Sequence, residues 1–184
     1  MGGLPLIGAK TIHLDKNTFM WVQTTHFGSP PADDRSALAA LIASPGYAFD
    51  YAVPYPLEEL LEEELERDRE RLPSSPPVHG RWWLSEIRES SFRSTTAGEA
   101  EARIRSWADD QDWADPGYRQ PPEVHERLQW VHNLLRLGTV YTLNNPGDEG
   151  MHDYGFTPGE LGFHEFVVVD RRSNAVHLIV ASDD

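Results

Sequence analysis

Apolar and polar positions alternate near both ends of the chain, and between them apolar residues recur at helical spacing. Residues 163–169 and 175–181 alternate about a polar turn at 171–174, which predicts a C-terminal β-hairpin. Phe163, Glu165, Val167 and Val169 then share a face with Val176, Leu178 and Val180 across the turn. Residues 10–15 and 18–25 predict a second hairpin about Lys16 and Asn17, since Asn tolerates the left-handed backbone of a tight turn. A two-residue loop there puts Ile12, Leu14, Phe19 and Trp21 on one face and His13, Met20, Val22 and Thr24 on the other. Both faces carry apolar residues, so the hairpin is expected to be covered on both sides, at least in part.

Four segments carry helical signals. One runs from Asp33 or Asp34, either of which can cap it, to Ala43. Residues 57–72 form the most charged one, with Glu58, Glu59, Glu62, Glu63 and Glu64 early and Arg67, Arg69 and Arg71 late, an order that suits the helix dipole. A third starts at Thr95 or Thr96 and reaches Ala108. The fourth opens on Pro121 and Pro122 and closes at Gly138, with Val124, Leu128, Val131 and Leu135 as its buried face. Residues 81–88 and 139–143 read as further strands. Residues 45–56 are rich in proline and aromatics and read as an ordered loop, and residues 144–162 form a long glycine-bearing loop. The predicted fold is a single α+β domain over residues 1–184. Its antiparallel sheet is built from the N- and C-terminal hairpins, with about four helices packed against it.

Composition narrows the function. The chain has no cysteine, which excludes disulfides, thiolate metal sites and a cysteine nucleophile. Asp and Glu number 30 against 16 Lys and Arg, a net charge of -14, which disfavours nucleic acid and anionic membrane surfaces as partners. Lys10 and Lys16 are the lysines and every other basic residue is arginine, the bias of a GC-rich genome, so part of this acidity is background. No apolar run approaches the ~20 residues of a spanning helix. The N-terminal residues lack the basic and apolar regions of a signal peptide, and a cytoplasmic location is the expectation. No nucleophile elbow, phosphate loop or dinucleotide fingerprint is present.

The candidate chemistry gathers between residues 148 and 165. Glu165 is the sharpest residue, because a carboxylate on an apolar strand face is costly unless paired. Either it sits half-solvated at a sheet edge, or it pairs with an arginine, or it is an acid–base group. His152 and Asp153 lie side by side in the loop, where a carboxylate can orient an imidazole base. The catalytic candidates are therefore His152, Asp153 and Glu165. Tyr154, His164, Trp113 and Trp130 are the candidates for contacting a substrate. His164 points away from Glu165, since neighbours on a strand face opposite sides, so the two do not act as a pair. His125 and His132 stand about 10.5 Å apart along a helix, too far to share one ion. No metal site is predicted, and no cofactor is identified.

Two functions remain. One is a small metabolic or tailoring enzyme using His and carboxylate acid–base chemistry on a small molecule in an aromatic pocket. The other is a non-catalytic acidic binding protein, an immunity protein or inhibitor, that covers a basic protein partner with residues 57–72 and the acidic loop around Trp113.

Overall fold

A computed structural model describes residues 6–14, 19–44, 46–49, 51, 78–110, 114–147, 150–151 and 162–182, with the backbone alone at 6, 7, 9, 11, 13 and 19. The C-terminal hairpin is its centre. Strands β7 (Phe163–Asp170) and β8 (Ala175–Ser182) pair antiparallel with Val167 opposite Leu178 and Glu165 opposite Val180. Asn174, at φ 60°, closes the turn. The Asp170 carboxylate accepts from the main-chain N–H groups of Arg172 and Ser173 and from the Ser173 hydroxyl. This is the hairpin that alternation predicts, and both of its faces are buried.

The other strands flank it. β1 (Leu6–His13) pairs with β2 (Phe19–His26), and β2 with β8. On the far side β6 (Thr139–Leu143) joins β7, and β5 (Phe92–Thr95) joins β6. The result is a six-stranded antiparallel sheet in the order β1-β2-β8-β7-β6-β5. A small separate hairpin joins β3 (Val78–His79) to β4 (Trp82–Trp83).

Three α-helices lie among the described residues. α1 (Asp34–Ile42) is capped by Asp33, whose carboxylate accepts from the Ser36 N–H. α2 (Ala97–Asp109) begins with a reciprocal box in which Thr96 and Glu99 satisfy each other's main-chain N–H groups. α3 (Pro122–Leu135) starts on proline, whose missing N–H would be unpaired there in any case. The fold class is α+β with an antiparallel sheet from both terminal regions. The acidic segment 57–72, the remaining predicted helix, lies outside the described residues.

The sheet has two covered faces. Ile12, Met20, Val22, Val140, Phe166, Val168 and Ile179 pack beneath α2 and α3, against Ile104, Trp107, Leu128 and Leu135. On the opposite face Trp21, Val167, Val169, Leu178 and Val180 meet α1 and the aromatics Tyr47, Tyr51 and Trp82. Gly138 is forced where β6 begins, because a Cβ there would stand 2.1 Å from the carbonyl oxygen of Val169.

The N-terminal hairpin corrects the predicted register. Ile12 lies opposite Met20 and Thr11 opposite Trp21, so Met20 and Val22, not Trp21, share a face with Ile12. His13 lies opposite Phe19, one residue out of step with the register that a two-residue turn at Lys16 and Asn17 requires. Where both faces are apolar, a slip of one residue exchanges one buried set for another, and alternation cannot choose between them. The slip places Trp21 on the face that holds Glu165. Residues 81–88, read as one strand, form β4 and a short 3-10 turn at Leu84–Glu86, and a second such turn follows at Glu89–Ser91.

Candidate active site around Glu165

Glu165 lies on an interior strand and is buried, with 1% of its surface exposed. It is not at a sheet edge, and no arginine among the described residues pairs with it. Its partners are His79 and Tyr47. Nε2 of His79 lies 2.5 Å from Oε2, and the Tyr47 hydroxyl donates to Oε1 at 2.9 Å. Nδ1 of His79 meets the main-chain oxygen of Tyr47 at 2.5 Å. The imidazole also stacks on the Tyr47 ring, with centroids 3.8 Å apart and planes 7° from parallel. Tyr47, His79 and Glu165 therefore close a cycle of hydrogen bonds inside an aromatic shell.

The cycle fixes the number of protons. A carbonyl oxygen can only accept, so Nδ1 of His79 carries a hydrogen and donates it to Tyr47. The contact between Nε2 and Oε2 then needs one further proton. It resides on His79, facing an ionised Glu165, or on Glu165, facing a neutral imidazole. The pair is neutral overall in both states, which lets it exist in a site where a lone charge would be prohibitive.

Local sequence explains the delivery of His79. Gly80 follows it with φ +53°, and Arg81 takes an ordinary negative φ, the pattern of a glycine-led two-residue hairpin turn. The Phe163 ring packs against Gly80, where a Cβ would lie 2.4 Å from a ring carbon. The register sets His79 opposite Trp82, and Trp82 is itself bridged to Met151.

Tyr51 completes the shell. It is buried, with its ring set edgewise to His79 at 5.3 Å and to Trp21 at 5.1 Å. Its hydroxyl has no hydrogen-bond partner among the described residues. Burial, followed by the charge of Glu165, pushes the Tyr47 and Tyr51 hydroxyls well above the ordinary tyrosine range. Both stay protonated, as hydrogen-bond donors.

Of the predicted site residues, the structure describes Glu165, His164 and Trp130. His152, Asp153, Tyr154 and Trp113 lie outside the described residues. His164 is half-buried and faces the opposite side of the sheet from Glu165, as alternation requires. Trp130 stands on α3, on the far side of the sheet, 37% exposed, with the Lys10 ammonium 4.5 Å from its ring centroid. The structure joins neither to Glu165. It supplies instead His79, Tyr47 and Tyr51, none of which pattern reading selects. The available signal was the cost of Glu165, which demanded a partner, and a His-Gly pair at the tip of a hairpin too short to show alternation.

Two other histidines are buried, each with one ring nitrogen lacking a hydrogen-bond partner among the described residues. Nδ1 of His177 lies 2.9 Å from the Thr24 hydroxyl, and His132 lies between Glu101 and Arg105. Burial holds both below the ordinary histidine range. Among the described residues no cluster of His, Asp and Glu is arranged to hold a metal ion, and no helix is long and apolar enough to cross a membrane. No protein-family model matches the chain, and no curated protein or solved structure matches it.

Proposed function

We propose that the protein is a small enzyme that performs acid–base chemistry on a small molecule, with Glu165 as the proton-transferring group. The observation that carries this reading is the neutral Glu165–His79 pair, in which one proton serves two sites within a shell of tyrosines. Glu165 is the member suited to reach a substrate, because both ring nitrogens of His79 are committed. A carboxylate oxygen has lone pairs to spare after one hydrogen bond. His79 acts through Glu165 as a positioning residue and proton store. The Tyr47 hydroxyl orients the carboxylate, and the Tyr51 hydroxyl, unpartnered among the described residues, can donate to a bound polar atom.

The test pairs folding with turnover. Glu165→Gln should melt close to the parent and show no turnover of any metabolite that the parent consumes in a library screened by mass spectrometry. A variant that keeps turnover removes Glu165 from the chemistry.

A second reading is favoured by the complete burial of the pair, whose side chains are 0% exposed. In it the pair is structural, and the protein is an acidic binder of a basic partner. Replacing Asp109, Asp110 and Asp112 together with lysine should then slow association with that partner in stopped flow at low salt. An unchanged association rate counts against this surface.

A further inference from the structure

Arg81 follows His79 and Gly80 in the β3–β4 turn, and its surroundings are odd for an arginine. It is half-buried. Its Nη2 donates to the Met151 thioether at 2.9 Å, and its guanidinium carbon lies 5.1 Å from the Trp82 ring centroid. No carboxylate among the described residues pairs with it. Arg35, Arg105, Arg136 and Arg171 each meet a carboxylate directly. The described arginines that lack one, Arg81 aside, are exposed, where water solvates them. A thioether is a weak acceptor. The forked donors of Arg81 are thus partly withdrawn from water and meet, among the described residues, no planar anion of the kind such a fork fits.

Its position relates it to Glu165. His79 and Trp82 face each other across the hairpin, and the guanidinium lies by Trp82. The cation therefore sits on the hairpin that carries His79, beside a tryptophan that packs in the cluster on the Glu165 face of the sheet. The turn fixes it there, since Gly80 is pinned against Phe163 and Trp82 is bridged to Met151.

We propose that Arg81 anchors the carboxylate of a small monoanionic substrate beside the Glu165 site, an assignment that rests on the acid–base reading above. One guanidinium neutralises one charge. A protein of net charge -14 repels further negative charge, which selects a monocarboxylate over a phosphate dianion. A neutral substrate would leave the half-buried cation unmatched.

Benzoate tests this, with benzamide as its neutral counterpart and inorganic phosphate as the alternative anion. Binding is followed by calorimetry at low ionic strength and by the indole N–H resonance of Trp82. Benzoate should bind saturably and shift that resonance, and benzamide should not. Arg81→Gln should weaken benzoate at least tenfold with an unchanged melting temperature. Arg81→Lys, which keeps the charge and loses the fork, should fall between. Equal binding of benzoate and benzamide, equal binding to Arg81→Gln, or an absence of saturable binding overturns the anchor. Phosphate binding more tightly than benzoate overturns the monocarboxylate. Loss of turnover in Glu165→Gln together with benzoate binding indifferent to Arg81 overturns the anchor and leaves the acid–base reading standing. Retained turnover in Glu165→Gln with benzoate lost in Arg81→Gln supports the anchor and removes that reading.

Discussion

Glu165→Gln and Glu165→Ala separate the charge of the buried group from its hydrogen bonds. A glutamine can accept from the Tyr47 hydroxyl and donate to Nε2 of a neutral His79, whose other nitrogen still donates to the Tyr47 carbonyl. An alanine leaves that hydroxyl and Nε2 without partners. Breaking a buried pair in this way costs roughly 3–5 kcal/mol. Urea unfolding should therefore rank the parent and Glu165→Gln close together and Glu165→Ala well below, and a glutamine variant as weak as alanine would contradict the proton assignment. His177 gives a pH signature. Burial lowers its folded pKa, Asp170 opposes that, and His26 reinforces it. The folded state thus binds its proton less readily than the unfolded chain does. Its stabilising contribution is full above the unfolded histidine value of roughly 6.5 and is lost as pH falls below it. His177→Gln should flatten the decline of melting temperature between about pH 7 and 5, and a decline as steep as the parent's would exclude His177 as its source.

At the level of elements, the β3–β4 hairpin is the vulnerable part. Gly80→Ala adds a Cβ at positive φ and drives it into the Phe163 ring, whereas nothing lies within 4 Å of a Cβ at Gly28. Left-handed strain in a residue with a side chain costs about 1–3 kcal/mol. Gly80→Ala should lower the urea midpoint clearly and Gly28→Ala very little, and matching midpoints would show that the turn does not hold the hairpin. The same elements show what the sequence could reveal. The C-terminal hairpin was legible because its strands are long and its turn is polar. The caps of α1 and α2 were legible because capping chemistry is local. Three things escaped. The N-terminal register escaped because both faces are buried, and β5 because four residues carry little pattern. His79 escaped because its significance comes from Glu165, 86 residues away.

For the whole molecule, the ion pairs among the described arginines lie at the surface. Glu101 serves both Arg105 and Arg136, Arg35 meets Glu89, and Arg171 ties the C-terminal turn to Asp34 on α1. Exposed pairs of this kind contribute about 0–1 kcal/mol each, and salt screens both them and the net repulsion. Raising sodium chloride should move the melting temperature little, and a marked fall would mean that surface charge carries the fold. The strand order has a different consequence, for synthesis. A ribosome makes β7 and β8 after every other described strand, yet these two separate β2 from β6 and bridge the two halves of the sheet. Until they emerge, the β1–β2 and β5–β6 pairs each present an open edge with no neighbour to close it. Nascent chains stalled before residue 163 should therefore be prey for chaperones and proteases, and the sheet can close only after β8 has been released.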